Sequence, residues 1–288
     1  MFDIFECEAV AGASFEAECG ASGIHLASIR SDPMLAFENQ VAQSLICAYQ
    51  LALWSSLASR IASPIVFAGY SVGELAAYGC AGSLSSADTI ALARERAAAM
   101  SAASATDDGM VALRGLARSA VEALCVAHGV SIAIVNGDDH FIVGGSSPAL
   151  EALTHEALAR GASAQRLRIG VASHTPRLAP ASERLLVALA KVHWRDPGIP
   201  VLSGLDGSAV RDASTAIDVL ARQISTTIRW VDCMDAMVER GARACLELGP
   251  GNALARMMRE RHSNVATRSV ADFRSLDAVV DWVERAIG

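Results

Sequence analysis

Gly69-Tyr70-Ser71-Val72-Gly73 spells G-x-S-x-G where the apolar run Ile65 to Ala68 gives way to a helical segment of small residues. A serine between a strand and a helix sits at the tip of a tight turn, with its hydroxyl presented for attack on a carbonyl. The glycines allow the turn without a Cβ clash. The N–H of Val72, at the helix start, is free to donate to a developing oxyanion. Such a serine needs a base, and seven histidines are available. Most fall on expected helices or at their ends, where packing and surface roles are the default. His174, in the loop GVASHTP before Pro176, and His262, near the C-terminus, both stay open as the base.

The elements that must position these residues follow from periodicity. Met34 to Ile61 repeats apolar residues at three and four, which predicts one long helix, and Ser86 to Ala103 predicts another, capped by Ser86 or Asp88. The middle of the chain changes character. Residues 110–116 read as a strand, 119–129 as a helix stopped by Gly129, 131–136 and 140–145 as strands, 146–161 as a helix, and 164–170 as a strand. The order β-α-β-β-α-β is the split, ferredoxin-like arrangement. Beyond it the first style resumes, with helices over 180–192, 216–225 and 230–241, strands over 199–203 and 244–247, the turn GPGN, and a helix from Ala253. The expected fold class is therefore α/β: a hydrolase-like large domain with a mostly parallel sheet, residues 1–104 and 170–288, and an inserted ferredoxin-like small domain, residues 105–169.

Composition narrows the function. The 288 residues are 52% hydrophobic and 19% charged, which excludes a disordered chain. Twenty-four basic against 31 acidic residues give a net charge of −7, and no basic run stands out, so nucleic acid is not the expected partner. No run of about eighteen apolar residues predicts a membrane span, and acids occupy the N-terminus where a signal peptide has bases. A cytoplasmic location is expected. The seven cysteines are scattered without metal-binding spacing, and read as buried thiols in a reducing compartment with no metal site.

Several motifs together carry a resemblance. Ser71 in GYSVGELAA, Arg96 in ALARERAAAM, Asn136 in IVNGDDHFIVGG, His174 in VASHTP, Gln223 in RQISTTIRW and the loop GPGN at 249–252 occur in one order and spacing. In both, the chain resembles malonyl-CoA:acyl carrier protein transacylases and polyketide acyltransferase domains. The resemblance implies a coenzyme A thioester as substrate, no bound cofactor, and the phosphopantetheine thiol of an acyl carrier protein as acceptor. It implies that Ser71 takes the acyl group as an ester, with His174 as base and then acid. It also implies that a backbone carbonyl at Gln223 orients His174, and that Arg96 pairs two-pronged with the acyl group's free carboxylate. Asn136, Tyr70 and Ser173 are the further substrate-binding candidates. A narrower version makes the chain the malonyl-loading subunit of a malonate decarboxylase, whose SHTP-type loops are similar.

The departures carry expectations of their own. Tyr70 stands where the family usually has histidine, which alters any polar role of that neighbour, and Ser173 stands where phenylalanine is common, leaving room for branched acyl groups. The family's opening strand and G-Q-G turn do not precede Met1, and MFDIFEC looks like the helix after that turn. The chain is thus expected either to begin inside the family's fold or to have lost one of two oxyanion donors. Arg166, Arg168, Arg177 and Arg184, which flank the His174 loop, are candidates for an acidic carrier protein. Two competing readings stay open. One is an α/β hydrolase using Ser71, Asp232 or Asp235, and His262 in that order; the other is a non-catalytic binding module.

Overall fold

The computed structural model describes residues 8–288, so the expected MFDIFEC helix lies outside the described residues. Helices α1 (Ala9–Ala21) and α2 (Leu26–Ser31) lead to a 3-10 turn at Pro33–Phe37 and then to α3 (Asn39–Leu57). The single helix expected over 34–61 is therefore cut at its start. Asp32 accepts from the Met34 N–H at 3.0 Å, Pro33 opens the 3-10 turn, and Glu38 is extended before α3 begins. Helix α3 ends at Leu57, before Pro64. Its residues Leu45, Leu53 and Leu57 are fully buried against α1 and the helices that follow, each contributing roughly 1.5–3 kcal/mol of apolar transfer.

Strand β1 (Phe67–Ala68) runs into α4 (Val72–Cys80), and α5 (Ser86–Ala103) follows. The helix spans the expected residues, but Ser85 caps it, accepting from the Asp88 N–H at 3.0 Å; neither Ser86 nor Asp88 is the cap, because both lie inside the first turn. Next come β2 (Asp108–Arg114), α6 (Arg118–His128), β3 (Ser131–Val135), β4 (His140–Ser146), α7 (Ser147–Ala159) and β5 (Ser163–Arg166). The chain continues through α8 (Ala179–Leu189), β6 (Val201–Leu202), β7 (Ala209–Val210), α9 (Ala213–Gln223), β8 (Ile228–Arg229), α10 (Trp230–Glu239), β9 (Ala244–Glu247), α11 (Ala253–Arg261), β10 (Ala266–Ser269) and α12 (Leu276–Ile287).

These elements make an α/β fold with mixed sheets. The five-stranded sheet has the order β5-β2-β4-β3-β8, antiparallel except where β8 lies parallel to β3, with Ile134 opposite Ile228. Its alternating residues Val111, Leu113, Phe141 and Val143 meet Val121 and Leu124 of α6 and Leu150 and Leu153 of α7 in a core of their own. Elsewhere β1 pairs parallel with β6, which pairs antiparallel with β7, and β9 pairs parallel with β10. The larger core lies around α3, α4, α5, α8 and α9. The consequence for function is that β1, α5, the 171–175 loop and the C-terminal end of α9 converge on one residue, Ser71.

Candidate active site

Ser71 is held in a conformation that costs energy. Its φ of 55° and ψ of −117° are unusual for a residue with a side chain, and the surrounding turn over-determines them. The Gly73 N–H bonds to the Tyr70 carbonyl at 3.0 Å and the Glu74 N–H to the Ser71 carbonyl at 3.1 Å, closing the turn into α4. Gly69 is required by space: a Cβ there would overlap the backbone of Gly73 and Glu74. Val72 is the first residue of α4, so its N–H is among those a helix leaves unbonded, at the positive end of the helix dipole beside Ser71.

His174 is also strained, with φ 61°, and is 1% exposed. Its backbone N–H bonds to the Ile224 carbonyl at 2.8 Å, and the Thr175 hydroxyl donates to the Ala172 carbonyl at 2.7 Å, so the loop is fixed against the end of α9. The imidazole Nδ1 lies 2.6 Å from the backbone oxygen of Gln223. A carbonyl oxygen only accepts, so Nδ1 carries the proton and Nε2 offers its lone pair to the Ser71 hydroxyl, 2.8 Å away. Burial, with the nearby Arg96 charge second, pushes the histidine down to about 3, against a smaller upward effect of the Gln223 carbonyl. The ring is therefore neutral at pH 7 and able to take a proton. The acceptor that holds it is one of the orphan carbonyls at the C-terminus of α9, where the helix dipole favours a cation.

Arg96, from α5, reaches the same hydroxyl from the other side. Its Nη2 donates to Ser71 Oγ at 3.2 Å and to Gln223 Oε1 at 3.1 Å, and its Nη1 donates to Gln43 Oε1 at 2.6 Å. Arg96 is 2% exposed, and among the described residues its guanidinium bonds only neutral groups, with no carboxylate at ion-pair distance. Burial pulls it down to about 10, so it remains charged at neutral pH. Sequence reasoning missed two members of this cluster. Gln43, on α3, donates to Asn39 Oδ1 at 2.8 Å and accepts from Arg96. Glu74, fully buried, accepts from the Gly204 N–H at 3.0 Å and from Gln223 Nε2 at 2.5 Å. Its signal was in plain view as the single charged residue of α4.

The remaining candidates divide. Tyr70 is partly buried with its ring edge-on to Trp230 at 5.5 Å, and desolvation pushes its hydroxyl up to well above the ordinary range, against a bond from Asn136. Asn136 is buried beside it and its Oδ1 has no hydrogen-bond partner. Ser173 is buried next to His174. Of the four arginines, Arg177 pairs at 2.8 Å with the buried Asp108 and Arg166 donates to Ser147 at 2.7 Å, so both have work within the fold. The hydrolase order Ser71, Asp235, His262 is not assembled: His262 bonds Asp235 at 2.8 Å together with Arg261, while Ser71 bonds His174. Asp232 is taken by Arg229 at 2.5 Å. Among the described residues no group of histidine, cysteine and acid side chains could hold a metal ion, and no helix is long and apolar enough to cross a membrane.

A hydrogen-bonded serine and neutral histidine, with a buried cation alongside, is an acyl-transfer constellation, and residues 13–276 match the family described as acyl transferase domain. The chain belongs to that family. Among curated acyl transferases, the malonyl CoA-acyl carrier protein transacylase of Mycobacterium tuberculosis is 32% identical over 248 residues, spanning 85% of this chain and 82% of the relative. Polyketide synthase GfsA of Streptomyces halstedii is 31% identical over 225 residues, 77% of this chain and 3% of the synthase. Among solved structures, the MCAT of Mycobacterium tuberculosis superimposes with a TM-score of 0.89 at 30% identity, covering 98% of this chain and 94% of that one. The acyl-carrier-protein S-malonyltransferase of Burkholderia pseudomallei gives 0.90 at 28% identity, covering 97% and 94%.

Proposed function

We propose that this acyl transferase moves a malonyl group from coenzyme A to the phosphopantetheine thiol of an acyl carrier protein, through an ester on Ser71. The observation that carries the substrate class is the buried guanidinium of Arg96, without an ion-pair partner among the described residues and 3.2 Å from the nucleophile. A buried guanidinium with no carboxylate in direct contact is costly, and a carboxylate on the arriving acyl group relieves that cost. The names of the similar transacylases support the same acyl group and acceptor.

The steps follow from the geometry. Ser71 Oγ attacks the thioester carbonyl carbon as its proton passes to His174 Nε2, and the oxyanion forms beside the Val72 N–H. The carbon–sulfur bond breaks, and coenzyme A leaves as its thiol with the proton from His174. In the second half the phosphopantetheine thiol gives its proton to His174 and attacks the ester. The carbon–oxygen bond breaks and Ser71 Oγ regains the proton. The Arg96 charge holds down the basicity of His174; a malonyl carboxylate docked on Arg96 screens that charge and strengthens the base, which an acetyl group does not do.

Within this reading residues 105–169 are the inserted ferredoxin-like small domain, a view supported by the strand order β5-β2-β4-β3, the two helices α6 and α7 and the separate core. Residues 1–104 and 170–288 then form the hydrolase-like large domain, and the cleft between the two lies at Ser71. Asn136 lines its small-domain side, Tyr70 its large-domain side and Ser173 its loop side. The reduced cysteines among the described residues and a coenzyme A substrate fit a cytoplasmic site of action. The test is competition labelling: with equimolar malonyl-CoA and acetyl-CoA, intact mass and peptide mapping should find malonyl on Ser71, and no adduct on Ser71→Ala. Predominant acetylation would overturn the assignment of substrate class.

A further inference from the structure

Gln223 does more than offer its backbone to His174. Its side-chain amide lies between Arg96, which donates to Oε1 at 3.1 Å, and Glu74, whose Oε2 accepts from Nε2 at 2.5 Å; the same Nε2 reaches the Ser71 carbonyl at 3.2 Å. Turning the amide over would set donor against donor at Arg96 and acceptor against carboxylate at Glu74, so the two charges fix its orientation. A Cβ on Gly204 would stand 2.7 Å from Glu74 Oε2, so a side chain there would push this carboxylate off its bonds. The other oxygen, Oε1, is buried with no partner. One buried cation and one buried anion are thus joined through a single amide directly behind the nucleophile.

Resting on the malonyl-transfer reading, we propose that Glu74 is the resident counter-charge of Arg96: through Gln223 it aims the guanidinium at Ser71, and its charge sets how strongly Arg96 prefers an acyl group that brings its own carboxylate. Glu74 is a positioning and specificity-determining residue, since it touches neither the acyl group nor the reacting atoms. While Glu74 is ionised, part of the field of Arg96 is already neutralised and an arriving carboxylate gains less. Once Glu74 is protonated, the whole field is available to the substrate.

This state changes within an accessible pH range. Burial raises the Glu74 carboxyl to about 7, against the opposing bonds from Gln223 and Gly204 and the charge of Arg96. The other groups facing it do not change charge between pH 6 and 8.5. Arg96 stays protonated up to about 10, His174 stays neutral down to about 3, Asp206 is held below the usual carboxylate range, and burial pushes the Cys233 thiol and the Tyr78 hydroxyl upward.

The experiment measures kcat/KM for malonyl-CoA and acetyl-CoA with one holo-carrier protein, from pH 8.5 to 6, in wild type and Glu74→Gln, which keeps an acceptor oxygen and removes the charge. The ratio of the two cancels effects common to both substrates, including the ionisation of coenzyme A itself. In wild type the malonyl-to-acetyl ratio should rise about three- to tenfold as pH falls through about 7. In Glu74→Gln it should sit at the higher value throughout. A pH-independent wild-type ratio, with Ser71 still malonylated, would overturn the role of Glu74 and leave malonyl transfer standing; no malonyl on Ser71 in wild type would overturn both. The wild-type measurement decides the matter even if the variant does not fold.

Discussion

Replacing Arg96 by alanine removes the cation proposed to meet the acyl carboxylate, and its consequence can be sized from the site. A carboxylate accepting from a guanidinium at about 3 Å gains roughly 5–6 kcal/mol at an effective dielectric of about 20. Desolvating the carboxylate takes part of this back, and truncating one side of a buried charged pair costs about 2–5 kcal/mol in measured interfaces. At about 1.4 kcal/mol per decade, kcat/KM for malonyl-CoA should fall roughly 30-fold to several thousandfold. Acetyl-CoA has no carboxylate to lose. It loses only the 3.2 Å bond from Arg96 to Ser71 Oγ, and it gains a histidine freed from the Arg96 charge. The assay is steady-state transfer to one holo-carrier protein with each thioester, and the ratio of the two should drop by at least about 30-fold. A ratio unchanged by Arg96→Ala, in a protein whose circular dichroism matches wild type, would refute the pairing of Arg96 with the acyl carboxylate.

Two further outcomes follow from the same geometry. Gly69→Ala should destabilise the protein by about 3 kcal/mol or more, because its Cβ would overlap the backbone of the turn, whereas Gly73→Ala meets the Gln50 side chain at an ordinary 3.8 Å and should leave the melting temperature near wild type. Thermal melts of both variants decide this; equal losses would contradict the close approach at Gly69. His174→Ala should slow malonylation of Ser71 by about 10²- to 10⁴-fold at pH 7.5, while His262→Ala, which removes a partner of Asp235, should change it little. Rapid-quench labelling gives both rates, and the reverse ranking would restore the Ser-Asp-His order.

The local geometry of the elbow was legible because each requirement has a residue type attached: small at Gly69, a short hydroxyl side chain at Ser71, helix start at Val72. His174 was not separable from His262 by residues alone, since the bond that selects it spans 103 positions and depends on a backbone carbonyl that any residue at 223 could supply. Gln43 was hidden for a related reason. A glutamine among apolar helix positions reads as a solvated edge, and its partner Arg96 lies 53 residues away. Glu74 was readable in principle, as a lone charge in the short apolar helix VGELAAYGC directly after the motif. Element boundaries failed where capping competes with periodicity. Asp32 and Pro33 start a 3-10 turn inside the apolar repeat, and Asp212, accepting from the Thr215 N–H at 2.8 Å, starts α9 three residues before the expected 216. The C-terminal strand β10 and helix α12, and the early helices α1 and α2, were not read at all. They complete the core around α3 and β9 but carry no residue of the site.

Two-step transfer is tested most directly on the isolated intermediate. Wild-type enzyme is loaded with malonyl-CoA, freed of excess thioester, and mixed with holo-acyl carrier protein while intact mass follows both proteins. Malonyl should leave Ser71 and arrive on the phosphopantetheine thiol in the same time course, and should persist on Ser71 when the carrier thiol is absent. Release as free malonate, at a rate indifferent to the carrier protein, would contradict acyl transfer and make the chain a hydrolase.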